Sequence, residues 1–248
     1  MISKRTLYAL CLLFVTLVFA VSPYFTSGFR GFDPDLFPVP QRDPPVQPAG
    51  YAFAIWGLIY LWLIAHALTG LVARRASPAW HAPRWALIFS LGLGAGWIAV
   101  ANASAAWATV MIWAMLGGAL MALWRAPRGD ALARWLGEAP VAVYAGWLTA
   151  ASCVSVGLLL GGFGVTGSRM AALAALAIAV VLALAVQLRL ARAPEYSGTV
   201  IWALVGVVVA NAGRDAAVMA FALAGIVAMA GAVWWVMSGE RETPGRQV

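Results

Sequence analysis

Charge is the scarcest property of this sequence. Asp, Glu, Lys and Arg make up 10% of its 248 residues, whereas a soluble domain carries about 25%. Hydrophobic residues reach 63%, and the mean hydropathy is +0.87. This excludes a soluble single-core protein, because no small core absorbs repeated uncharged runs of ~18 residues or more, each the length of a membrane span. Lys4 is the sole lysine, which excludes a retinal Schiff base within the membrane. No acidic residue sits in the middle of an apolar run, so the buried carboxylate that ion pumps keep despite its cost is missing. The two cysteines, Cys11 and Cys153, lie inside apolar runs and read as small core residues, not a disulfide. The two histidines, His66 and His81, belong to no metal-ligand cluster, and Gly161–Gly167 lacks the lysine of a phosphate loop. With no Ser/His/Asp set and no carboxylate pair, no catalytic residue is assigned and an enzyme is the least favoured class.

What remains is a series of charge-free intervals, and these give an all-α fold: a polytopic transmembrane helix bundle of eight spans. The spans are expected at 6–29 (ending near Pro23), from 48–51 to 73, then 85–101, 105–124, 140–160, 170–188, 198–210, and from the 211–215 turn to 237. Lys4 and Arg5 before Leu7–Phe19 resemble a leader that a cut after Ala20 would release; the expectation is a retained first helix. The 30–47 loop holds Asp33, Asp35, Asp43 and five prolines, too many for a regular helix, and Phe32 and Phe37 are expected to fold back onto the membrane face. Ser77–Pro83 reads as a short loop carrying Trp80 and His81, and LARWLG at 132–137 as a short surface helix. Ser and Asn at 102–106 suit the cap between the third and fourth spans.

The formal charge of +7 sits in the short connections, with no basic face for nucleic acid. With the N-terminus inside, Lys4, Arg5, Arg74, Arg75, Arg84, Arg125, Arg128, Arg134, Arg189, Arg192, Arg241 and Arg246 face one side, and only Arg30, Arg42, Arg169 and Arg214 the other. That asymmetry is what a multi-pass membrane protein with both termini in the cytoplasm is expected to show.

One stretch carries more than architecture. Pro48 to Tyr60 reads PAGYAFAIWGLIY, and it resembles the signature of the tryptophan-rich sensory protein, or translocator (TspO/MBR), family. That family has a Pro-Pro-Gly-Trp-x-Phe pattern ahead of Trp and Leu-Tyr. Pro48, Gly50, Phe53, Trp56 and Tyr60 match, and Tyr51 stands where the family usually has Trp. Pro140, Tyr144 and Trp147 in PVAVYAGWLTAA are similar to its Pro-Tyr-x-x-Trp region with the Tyr displaced, and Trp97 is similar to a further family Trp. The resemblance covers about residues 1–160. It implies a five-helix bundle at 1–160; the apolar runs add three additional transmembrane helices at 161–238, and the polar stretch at 239–248 is expected to be a disordered tail. It also implies binding, sensing or transport of a planar hydrophobic ligand, with a tetrapyrrole (porphyrin- or haem-like) first.

Read physically, Phe53, Trp56 and Tyr60 are spaced i, i+3 and i+7 on one side of the second helix, and Tyr144 and Trp147 are i and i+3 on the fifth. Two such ladders face to face would make a flat slot, with Trp N–H and Tyr O–H at its rim. The ligand-binding candidates are Tyr51, Phe53, Trp56, Tyr60, Tyr144 and Trp147; simple helix packing by the same rings is the alternative. Trp80, Trp85, Trp124, Trp135, Trp234 and Trp235 fall where an aromatic belt would. His66 reads as an interhelical hydrogen-bonding residue before a haem ligand, and Gln187 and Thr149 likewise. Glu138 and Asp215 are expected to cap helices or to pair with Arg134 and Arg214. Gly92, Gly94, Gly96 and Gly117–Gly118 permit close helix approach or a homodimer. The expected partners are the lipid bilayer, a small hydrophobic molecule and a homodimer or larger membrane complex. A structural or assembly subunit and a small permease are the rival functions.

Overall fold

The computed structural model describes residues 3–26, 29 and 31–241, the last three by backbone alone. Its long helices are α1 Lys4–Val21, α2 Ile55–Val72, α3 Arg84–Ala103, α4 Ala105–Trp124, α5 Ala139–Gly162, α6 Ser168–Leu190, α7 Pro194–Asn211 and α8 Ala216–Arg241. No strand occurs among the described residues. Seven of these segments are long and apolar enough to cross a membrane. The exception is α7, which opens on Pro194, Glu195 and Tyr196 and closes on Asn211. The chain is an all-α, polytopic helix bundle.

Local chemistry sets most boundaries. Ser3 accepts the Thr6 N–H to start α1, and Pro23 ends it in a short 3-10 turn. Ser104 alone separates α3 from α4: its backbone is extended, and its hydroxyl accepts the Trp107 N–H at 3.4 Å. The second span begins at Gly50, within the expected 48–51, but its first turn, Gly50–Ala54, is 3-10 and only from Ile55 is it α-helical; the Ala49 N–H just before it is bound to Gly206 of α7. Two expectations are corrected. LARWLG is no surface helix but part of a π-helical turn, Ala133–Glu138, that runs into α5 and buries Ala133, Gly137 and Glu138. The widened turn presents its carbonyls sideways. Trp135 and Leu136 thereby accept hydrogen bonds, both 2.8 Å, from Trp62 Nε1 and His66 Nδ1 of α2. Finally, Pro78–His81 is a single helical turn that buries Trp80 against the His66 ring, 5.4 Å away, so Trp80 leaves the belt. Trp85, Trp124, Trp135, Trp234 and Trp235 are exposed, as a belt requires. The final helix runs past Gly239 to Arg241; the rest of the expected tail, 242–248, lies outside the described residues, as does Arg30.

Two closed rings of helices share one wall. In the first, α1 packs on α2 and α3, α3 on α4, α4 on α5, and α5 on α2. In the second, α5 packs on α6 and α7, and α8 joins those two. Helix α5 is therefore buried almost throughout. Its approach to α7 is close: a methyl on Gly146 would lie 2.4 Å from the Tyr196 carbonyl oxygen. At one end of the bundle Arg5 binds the Ala76 carbonyl, Arg84 binds those of Arg5 and Gly70, Arg74 pairs with Asp130, and Arg134 with Glu195. This is the basic end. At the other, Arg169 pairs with Asp215, Arg214 with Asp43, and Asn211 holds the Pro45 carbonyl.

Candidate functional site

The five-helix ring encloses a cavity of about 210 Å³. Phe19 and Pro23 come from α1 and its terminal turn, Phe53 from the turn before α2, and Trp56 and Tyr60 from α2 itself. Gly94, Trp97 and Ile98 of α3, Ile112 and Met115 of α4, and Leu148 of α5 complete the wall, with Phe29 above. A smaller cavity of about 50 Å³ shares Phe29, Phe53, Trp97 and Ile112 with the first and is bounded further by Phe32, Gln47 and Trp147. Among the described residues, no charged side chain lines either one.

The rings are fixed by one another. Trp56 and Tyr60, one helical turn apart on α2, stack with centroids 5.4 Å apart at 20°. Trp147 meets Trp56 edge-on at 6.1 Å and Phe53 at 5.8 Å. Phe19 touches Trp56, Tyr60 and Tyr144 within 5.9 Å. Trp97 donates its indole N–H to the Ala108 carbonyl at 2.9 Å, which orients its ring, and Phe29 lies 4.7 Å from it. The contact between a π-face and a ring edge is the favoured aromatic geometry, so each ring of this box is oriented by its neighbours.

The sequence-derived candidates separate into groups. Phe53, Trp56 and Tyr60 line the main cavity, and Trp147 stands between Phe53 and Trp56 on the border of the smaller one. Tyr144 is fully buried behind Phe19, its hydroxyl bound to Ser90 Oγ at 2.9 Å, while Ser90 donates to the Met115 carbonyl. Tyr51 lies outside, half exposed, against Trp202 of α7 at 5.5 Å. The α2 and α5 rings therefore do not face each other across a flat slot; they meet near right angles around a box. Sequence reasoning missed Phe19, Phe29 and Met115. Nothing distinguishes Phe19 from its apolar neighbours in α1, and Gly94 read only as a site of helix approach.

His66 and Thr149 make the interhelical bonds expected of them: His66 to Leu136 and Thr149 Oγ1 to the Tyr196 hydroxyl at 2.9 Å. Gln187 accepts from Ser197 at 2.7 Å. Asp215 pairs with Arg169, not Arg214, which instead reaches Asp43. Glu138 takes both Arg134 and Arg192. Among the described residues, no three His, Cys, Asp or Glu side chains gather as metal ligands would.

Comparison with known proteins agrees with the signature at Pro48–Tyr60. A family model described as TSPO-like protein matches residues 8–235, from α1 into α8. No curated protein and no solved structure matches the chain. The match spans both helical rings, so this multi-pass membrane protein belongs to the TSPO-like (TspO/MBR) family.

Proposed function

We propose that the chain binds a planar, uncharged or weakly polar hydrophobic molecule in the aromatic box of the five-helix ring, with a tetrapyrrole as the leading ligand class, and that binding serves sensing or transport. The observation that carries this reading is the lining: six aromatic rings around one cavity, with no charged side chain among the described residues. Such a wall stacks a flat apolar molecule and makes burying an unpaired charge costly. The binding residues are Phe53, Trp56, Tyr60 and Trp147, with Tyr144 setting Phe19 from behind and Tyr51 at the outer edge of the same turn. The main cavity, about 210 Å³, is smaller than the roughly 300 Å³ at which small-molecule sites usually begin. A tetrapyrrole therefore enters only when Phe29 and Phe32 and the loop behind them, through Gln47, move off Trp97. Any carboxylate it carries stays toward Gln47 and the loop, where water is nearest. The basic end faces the cytoplasm of a bacterial inner membrane in this reading, by the positive-inside rule.

The test is titration of the purified full chain with a free-base porphyrin, followed by absorbance and tryptophan quenching. Trp56→Ala and Trp147→Ala should each weaken binding by roughly fivefold, the equivalent of about 1 kcal/mol for one aromatic contact. Unchanged affinity in both variants removes the box as the site. Native mass spectrometry of protein gently extracted from its own membrane supplies the ligand directly. A constant set of other subunits, with no small molecule, would instead favour the assembly role.

A further inference from the structure

The second ring of helices holds the loop that covers the first. Residues 31–47 lie over the aromatic box, with the Phe32 ring 6.3 Å from Trp97 and 5.3 Å from Phe29. The backbone hydrogen bonds in the first half of this lid are local: the Asp35 N–H goes to Asp33 Oδ1, the Leu36 N–H to the Asp33 carbonyl and the Phe37 N–H to that of Pro34. The second half is fastened to the bundle. Val39 donates to the Gly162 carbonyl at the end of α5 at 2.9 Å. The Pro45 carbonyl accepts from Asn211 Nδ2 at 2.8 Å, and the Ala49 N–H goes to the Gly206 carbonyl at 3.0 Å, both on α7. Asn211 is buried, and the same Nδ2 also donates to the Val207 carbonyl at 2.8 Å, so its amide is locked to its own helix. Just beyond, the Trp202 indole donates to the Ala52 carbonyl at 3.0 Å.

Neighbouring residues at this root face different rings. Val46 is buried in the second ring, beside Cys153, Ala175 and Val207. Gln47 lines the smaller aromatic cavity, whose wall also includes Ala203 of α7. The Gln47 amide packs on Gly31 at the other end of the lid, where an added methyl would lie 2.7 Å from it. Helix α7 has no slack against the root: a methyl on Gly206 would lie 2.9 Å from Pro48 and 3.0 Å from Ala52. The root itself is stiff, because Pro44, Pro45 and Pro48 each fix φ. A stiff, closely packed segment passes on a shift of its holder instead of absorbing it.

We infer that α7 is the latch of the aromatic box: Asn211 and Gly206 hold the root of the 31–47 lid, and displacement of that end of α7 lets Phe32 lift off Trp97 and opens the way in. What enters is the ligand of the aromatic-box reading, on which this inference rests; the latch acts on the loop whether or not a ligand is present. The coupling is reciprocal, so a lid opened by a ligand loosens the end of α7 in turn.

The experiment is hydrogen–deuterium exchange of the full chain in detergent, followed over 31–47. Asn211→Ala removes the donor to Pro45, and Gly206→Ala drives a methyl against Pro48 and Ala52. Each should speed exchange of the lid amides by roughly fivefold, the equivalent of one net hydrogen bond, with exchange in α4 and α5 unchanged. Gly198→Ala lies on the same helix, meets nothing within 4 Å and should leave the lid as it is. Stopped-flow mixing with a free-base porphyrin, followed by tryptophan quenching, should show association and dissociation rates rising together in the two latch variants, because a gate changes access more than affinity. Unchanged lid exchange in both variants overturns the inference. So does exchange that rises equally in α4 and α5, since Asn211 and Gly206 would then support the whole fold. A loosened lid with unchanged porphyrin association overturns it as well, because the lid would not control entry. A loosened lid in a protein that binds no porphyrin upholds the latch and removes the aromatic-box reading alone.

Discussion

Phe19 of α1 occupies the space that Gly94 of α3 leaves open: a methyl added at Gly94 would lie 2.5 Å from the Phe19 ring and 3.1 Å from Met115. The aromatic box depends on that vacancy, because Phe19 is the ring that touches Trp56, Tyr60 and Tyr144 together. Gly94→Ala should therefore push Phe19 into the cavity. The expected cost is about 1–3 kcal/mol of overpacking, together with weaker porphyrin binding. Phe19→Leu on the same background should restore the thermal transition by returning the space. If Gly94→Ala leaves both stability and binding untouched, Phe19 is not held as described.

The second relationship concerns α2 and the π-helical turn. The Leu136 carbonyl takes its donor from His66, which is buried, and the Trp135 carbonyl takes its donor from Trp62, which is partly exposed. His66→Phe should cost about 1–3 kcal/mol, because a buried acceptor is left without a donor. Trp62→Phe should cost less, about 1 kcal/mol, since its carbonyl reaches the surface. Thermal unfolding in detergent gives the order. Equal costs would mean that the π turn is held by packing of Trp80 and Gly137 and not by these bonds.

These cases show what the sequence made legible. Charge-free runs and the Ser104 break read directly as spans and a cap, because a bilayer forbids charge along a helix and a hydroxyl satisfies an open N–H. The α2 signature, too, pointed to Phe53, Trp56 and Tyr60, which do share one cavity. The rest depended on which helices meet. Tyr51 and Phe53 are two residues apart and so point to different sides of their helical turn, but only the packing shows that Trp202 waits on one side and Trp147 on the other. Phe19 gained its role only from the packing of α1 on α3. The π turn gives no periodic signal at all, since its reward is two carbonyls offered to a helix about 70 positions away in sequence.

A third prediction comes from the connection between α6 and α7. Ala191 and Ala193 both have left-handed backbones, with φ of 50° and 52°. Between them Arg192 reaches the Leu123 carbonyl at 3.1 Å and the Glu138 carboxylate. Burial, then the neighbouring Arg128 and Arg134, depresses its guanidinium to about 10. The left-handed alanines cost about 1–2 kcal/mol each, while glycine there gives back part of that gain through its freer unfolded chain. Ala191→Gly and Ala193→Gly should each stabilise the protein modestly, by up to about 1 kcal/mol. Arg192→Ala should destabilise it by about 3 kcal/mol, since Glu138 is buried and keeps only the longer contact to Arg134. A stabilising Arg192→Ala would show that the strained connection serves no clamp.

The last prediction is a pH dependence at the opposite end. Asp215 caps α8, its Oδ1 accepting the Ala217 and Val218 N–H groups at 3.2 Å, while Oδ2 takes Arg169 Nε at 2.7 Å. The Arg169 hydrogen bond first, opposed by partial burial and aided by the backbone donors, holds this carboxyl below its ordinary value. A carboxyl with a depressed folded-state pKa stabilises the fold fully above its unfolded value, about 3.9, and loses that contribution as pH falls through the lower folded value. The thermal transition of the unaltered protein should thus exceed that of Asp215→Asn by a constant margin above about pH 5, and the margin should shrink below about pH 4. Arg169→Gln should move that shrinkage to higher pH, because the largest cause of the shift is gone. Transitions measured from pH 7 down to pH 3 decide it. A margin that stays constant to the lowest pH would mean that Asp215 acts through shape alone, and that the Arg169 contact adds no charge-dependent hold on the start of α8.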